Sequence, residues 1–166
     1  MNNNNYNTKQ QIDIFYKDFI DTYKTKNNKD FKPTYQNLYT LGKIIEQKIK
    51  DVIDKREQYG KNKTITFKYV SWKWYEYILK KIDSDFWWEL TDYSNNYQMV
   101  KIRIIWLNKE YSGWYAVENS AIKKDTNEPL NNLGEMVINE GMRCFAKVCS
   151  RATGLFMHLW YEGGNN

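Results

Sequence analysis

Tyr97-Gln98-Met99-Val100-Lys101-Ile102-Arg103-Ile104-Ile105-Trp106-Leu107 is the stretch whose reading decides the fold. Val100, Ile102, Ile104 and Trp106 alternate with Lys101 and Arg103, the period of two that a half-buried strand requires. Upstream, Phe86 to Tyr93 reads as a strand and Ser94-Asn95-Asn96 as its turn. Downstream, Asn108-Lys109 makes the next turn and Glu110 to Val117 the return strand. Glu118 to Asn132 is a polar loop with Pro129, and Leu133 to Thr153 is a long helix ended by Gly154. Leu155 to Tyr161 stays apolar and is read as a final strand. The expected class is α+β: a three-stranded antiparallel meander with a long helix packed on it.

Towards the N-terminus, Ser71 is placed to cap a third helix with Trp72, Tyr75, Leu79 and Ile82 on one face. Thr64 to Tyr69 is short and β-rich. Ile12, Phe15, Phe19 and Tyr23 predict a helix over 9–24, opened by a Thr8-x-x-Gln11 capping box. Lys24 to Pro33 is a polar linker, and Thr34 can cap a second helix. Leu38, Leu41, Ile45, Ile49 and Val52 continue that helix towards Gly60, which makes an antiparallel helical hairpin with the first. The expected organisation is a disordered Asn-rich tail (1–8), an N-terminal helical appendage (9–60) and a core domain (61–166).

Composition narrows the classes. With 166 residues the chain has room for one domain plus an appendage. Aromatics at 17% argue against disorder over most of it. Its apolar runs are far short of the roughly 20 residues of a spanning helix, and polar Met1 to Asn7 reads as no secretory signal. Cys144 and Cys149 are five residues apart on one helix, a poor geometry for a bridge. With His158 as the one histidine they cannot complete a structural zinc site, so buried thiols in a reducing cytoplasm are expected. The net charge of +5 lies in residues 1–66, with 13 Lys/Arg against 8 Asp/Glu; residues 67–166 carry 12 of each. The C-terminal part therefore holds an anionic partner only if it places its cations on one face.

Two arrangements do so. Arg143, Lys147 and Arg151 are spaced i, i+4, i+8 and form one helical stripe. Such a row advances about 6 Å per step, comparable to the phosphate spacing of an extended single strand. The alternative is a solvated face, with Glu140 pairing Arg143 and Lys147. Lys101 and Arg103 share a strand face with Tyr97 and Met99, which is either a platform for unpaired bases or an ordinary solvent face. Of the seven tryptophans, one or two are expected to be exposed for stacking; their identity is left open. No P-loop, G-x-S-x-G or H-E-x-x-H is present, and Asp83, Asp85, Asp92, Glu110 and Glu118 read as turn and surface acids. His158 reads as packed, and no cofactor is implied.

Three stretches in register resemble the phage single-strand annealing proteins of the Sak family. Tyr69-Val70-Ser71-Trp72 is similar to the family's Y-[VL]-S-W start. Trp114-Tyr115-Ala116-Val117-Glu118-Asn119 with Ala121-Ile122 is similar to its W-L-P-V-M-D…N-x-A-[IM] segment. Met142-Arg143-Cys144-Phe145-Ala146-Lys147 and Gly154 to Trp160 resemble its R-C-x-x-K…G-L-G-L-Y ending. The resemblance covers about 67–163. Departures are Phe156 in place of the second glycine, Ala116 for the proline and Glu118 for the aspartate.

Through this family the chain resembles the superfamily of Rad fifty-two and Redβ. That implies a β-β-β-α core, a homo-oligomeric ring or helical filament, and annealing of single-stranded DNA without ATP. It implies a non-enzymatic role in phage-type recombination and repair in a bacterial cytoplasm, with a phage exonuclease or host single-strand binding protein as further partners. The family's Arg and Lys fall on Arg143 and Lys147; Arg151, Lys101, Arg103 and Lys73 are added as expected phosphate contacts. Ser71, Trp72, Trp114 and Gly154 are the motif's structural positions. The rival readings are a single-strand-coating module that does not anneal, and a small metal-dependent nuclease.

Overall fold

The computed structural model describes the backbone of residues 3–59, 64–93, 99–116 and 133–162. The helices are α1 (Asn3–Asn27), α2 (Tyr35–Lys48), α3 (Trp72–Ile82), α4 (Leu133–Thr153) and α5 (His158–Glu162), with a 3-10 turn over Lys50–Val52. The strands are β1 (Ile53–Tyr59), β2 (Thr64–Val70), β3 (Trp87–Tyr93), β4 (Met99–Trp106) and β5 (Lys109–Ala116). The class is α+β, with a two-stranded sheet β1-β2 and a three-stranded sheet β3-β4-β5, both antiparallel. The chain divides into two compact units, 1–78 with 153–166, and 79–152. The boundary expected near residue 60 falls inside the first unit.

In the first unit, α1 begins at Asn3, inside the expected tail. Thr8 therefore lies within the helix and is buried, so it is not the cap it was read as. Phe31 joins the linker to α1 through edge-on contacts with Phe19 and Tyr23 at 5.7 and 5.4 Å. Thr34 does cap α2, its hydroxyl accepting from Asn37 N at 3.3 Å. Leu38, Leu41 and Ile45 are buried along α2. The helix stops at Lys48 instead of running towards Gly60, because 53–59 pair along their whole length with 64–70. The ladder satisfies the backbone groups of 53–59 against the β-branched run Thr64 to Val70, and pairing overrides a helical period that Ile49 and Val52 also fit.

Ser71 precedes α3, and its carbonyl accepts from Trp74 N at 3.0 Å. The buried stripe of α3 is Trp74, Tyr75, Ile78 and Leu79: Tyr75 and Leu79 of the expected face are buried, whereas Trp72 is exposed and Ile82 is half-buried. Two adjacent pairs four residues apart make the wider apolar arc.

The C-terminal segment is not the expected strand. Gly154 and Phe156 have φ of +84 and +54, and Met157 N and Leu159 N bond back to Gly154 O and Phe156 O, both at 3.1 Å. Left-handed residues curl the chain into turns and α5. A Cβ on Gly154 would stand 2.5 Å from Tyr35 O, so glycine serves both the backbone twist and the close approach. His158 is buried, with Nε2 2.8 Å from Glu46 Oε2, and Glu46 Oε1 receives Lys68 Nζ at 3.1 Å.

In the second unit β4 is the central strand, and Val100, Ile102, Ile104 and Trp106 are buried as their alternation requires. The β4–β5 turn is Leu107-Asn108, one residue earlier than expected, with φ of 49 and 59. Two left-handed residues match the right-handed twist of a hairpin. Asp83 holds this turn: its Oδ2 accepts from Leu107 N at 2.8 Å and its Oδ1 from Asp85 N at 3.1 Å. Helix α4 has the predicted bounds and packs on the inner face of the sheet. Phe145 meets Trp88 at 4.7 Å and Phe86 at 6.3 Å between ring centroids. The expected turn at 94–96 and polar loop at 118–132 lie outside the described residues. No described helix is long and apolar enough to cross a membrane.

Candidate nucleic-acid interface

Helix α4 is almost entirely enclosed over 140–151. Only Met142, Arg143, Lys147 and Arg151 are not buried there. The i, i+4, i+8 spacing thus leaves one open strip, and three of its four residues are the cations read from the sequence. The Arg143 guanidinium is paired, with Nη1 2.7 Å from Oε1 of the buried Glu140.

The strip borders a groove. β5 is an edge strand of the three-stranded sheet, and a cavity of about 170 Å³ runs between it and the C-terminal half of α4. Tyr111, Trp114, Tyr115, Cys144, Lys147 and Arg151 are among the residues lining it, and none of the described lining residues is acidic. Lys147 Nζ lies 5.0 Å from the centre of the Tyr115 ring. Gly113 makes the close fit of sheet and helix: a Cβ there would stand 2.9 Å from Val148 Cγ2. Cys144 donates from Sγ to Gly113 O at 3.5 Å, and burial pushes its thiol up to about 11, so it remains protonated and unreactive near neutrality. Both cysteines are buried and unbridged.

The opposite face of the sheet carries the other expected cations. Lys101 pairs across the ladder with Trp114, its Nζ 5.6 Å from the ring centre. Arg103 is held by Glu89 and by Glu110 (3.3 Å to Oε2) and lies over the Trp87 ring at 5.4 Å. Two carboxylates consume its charge, so Arg103 is a cross-strand ion-pair residue and a poor phosphate contact. Met99 shares this face and is exposed; Tyr97 lies outside the described residues. Lys73 belongs to the other unit, over the Trp74 ring at 4.8 Å.

The structure therefore gathers Lys147 and Arg151 in one groove, sets Arg143 one turn away on the same strip, and puts Arg103 on the opposite face of the sheet; Lys73 belongs to the other unit. Tyr111 and Tyr115 were missed in the sequence reading. Their signal was Tyr111-Ser112-Gly113-Trp114-Tyr115, a strand interrupted by a glycine, which marks a close approach. Of the acids a nuclease would need, Asp83 holds a turn and Glu110 holds Arg103. The side chains of Asp92 and Glu118 lie outside the described residues, and among the described ones no group of three His, Cys, Asp or Glu could hold a metal ion. No protein-family model, no curated protein and no solved structure matches the chain.

Proposed function

We propose that this chain binds single-stranded DNA along the groove between β5 and α4, and that it anneals complementary strands without ATP. One observation carries the reading: the open strip of a buried helix is basic, and it borders a groove lined by aromatics and cations with no described acid. Lys147 and Arg151 hold successive phosphates, and Arg143 extends the row. Release of counterions drives this contact and makes it depend on salt. A strand held by its backbone keeps its bases available, so a second strand can pair with them. The meander followed by α4 is compatible with the β-β-β-α core that the Sak resemblance implies. The same resemblance supports a homo-oligomer, ring or filament, acting in recombination as a non-enzyme.

The test is a salt titration of binding to a labelled oligothymidine, followed by annealing of two complementary oligonucleotides. For single strands each phosphate contact adds about 0.7 to the slope of log K against log salt. Lys147→Glu with Arg151→Glu should flatten the slope by about 1.4 and abolish annealing. An unchanged slope overturns the groove. Tight binding by the wild type without annealing leaves a coating module, and cleavage in magnesium or manganese leaves the nuclease.

A further inference from the structure

Tryptophans are the strongest stacking side chains for unpaired bases, and four described ones are exposed: Trp72, Trp87, Trp114 and Trp160. Trp114 alone among them lines the groove of Lys147 and Arg151. It keeps 48% of its surface open, more than any of the other three. It stands on edge strand β5, and its side chain shares the sheet face of Lys101. Gly113 and Tyr115, its neighbours in the strand, point to the opposite face, towards α4.

We propose that Trp114 is the base-stacking residue of this interface, with an unpaired nucleobase as its ligand. The inference rests on the groove reading and adds the part that recognises bases. A strand whose phosphates follow Lys147 and Arg151 turns its bases across the edge of β5, a single strand's width of backbone, and onto the Trp114 ring. Lys101 lies over that ring at 5.6 Å. A cation there strengthens the attraction for an electron-rich base on the exposed side and adds positive charge near the strand. Charge complementarity selects the occupant: no described acid lines the groove, Lys101 lies at the ring, and Glu89 and Glu110 on the ring's own sheet face are held by Arg103. A base in a duplex is already stacked on both faces, so the same geometry selects single strands over double ones.

The experiment compares an oligothymidine with an abasic strand of equal length and charge, for the wild type, Trp114→Phe and Trp114→Ala. Wild type should prefer the base-bearing strand by about tenfold, in line with the stacking contribution of one base. Trp114→Ala should lose that preference, Trp114→Phe should retain most of it, and the salt slope should stay the same in all three. If Trp114→Ala keeps the full preference, or the wild type has none, the stacking role is overturned. Salt-dependent binding of the abasic strand that Lys147→Glu with Arg151→Glu removes would leave the groove standing in that event. Loss of that dependence as well would mean that the groove itself has failed. Circular dichroism melts of both variants separate a binding defect from misfolding.

Discussion

Replacing Gly113 by alanine tests the contact that creates the groove. The added Cβ would lie 2.9 Å from Val148 Cγ2, about 0.5 Å inside the 3.4 Å at which ordinary contact begins. The obstacle is a single methyl on a buried, β-branched side chain whose rotamer is restricted in a helix. Either Val148 leaves its preferred rotamer or α4 lifts from the sheet. Overpacking of this kind costs about 1–3 kcal/mol, offset by about 0.5–1 kcal/mol because alanine restricts the unfolded chain more than glycine does. The net loss expected for Gly113→Ala is about 1–2 kcal/mol. Val148→Ala alone opens a small cavity and should cost about 2 kcal/mol. The double variant removes the offending methyl and fills part of the cavity with the new Cβ, so it should be little worse than Val148→Ala. The coupling should therefore favour the double variant by about 1–2 kcal/mol, well above the few tenths seen for independent sites. Urea denaturation of the four proteins measures it. Strict additivity would refute the claim that this one contact sets the spacing of sheet and helix.

Three further outcomes follow from the geometry. Burial pushes the Glu46 carboxyl up, but the hydrogen bonds from His158 and Lys68 more than offset this and hold it below its ordinary value. A depressed carboxylate stabilises the fold above its unfolded pKa and loses that contribution as pH falls through the folded one. Wild type should melt above Glu46→Gln at pH 7, and the gap should narrow as pH falls below the ordinary carboxylate range; a gap that does not change with pH would contradict the pairing. Gly154→Ala combines a left-handed backbone with an approach of 2.5 Å to Tyr35 O, and should lose at least about 2 kcal/mol in a urea titration. Asp83→Ala removes the acceptor of Leu107 N from a turn that already holds leucine at positive φ, and should cost about 1–2 kcal/mol by thermal melting.

The meander was legible because its signal is local. Val100 to Trp106 alternate strictly, and one face of a strand is either buried or not. The bounds of α4 were legible because Gly154 stops it in the left-handed conformation that glycine adopts freely. The stretch 49–59 was not, because its apolar positions fit a helix and a strand alike, and the partner that decides, Thr64 to Val70, lies further along the chain. The final strand was misread for a related reason. Leu155 to Leu159 is apolar except for His158 and is buried throughout, and burial without a pairing partner produces turns and a short helix as readily as a strand.

The interface was half legible. Helical spacing put Arg143, Lys147 and Arg151 in one row, but no spacing rule shows that the rest of that helix is covered, and burial turns the row into the helix's only open strip over 140–151 apart from Met142. Spacing also placed Lys101 and Arg103 together as equals, whereas cross-strand neighbours divide them. Glu89 stands opposite Arg103 in the ladder, and Trp114 stands opposite Lys101. The balance of 12 cations and 12 acids over residues 67–166 therefore says little about what this half can bind. Its acids are sorted by position: Glu89 and Glu110 go to Arg103, and Glu140 goes to Arg143. Lys147 and Arg151 line a groove whose described lining includes no Asp or Glu. The sum over a sequence therefore hides local sign: an ion pair a few ångströms long has little field beyond a Debye length, so the charges that set the potential of the groove are those that line it.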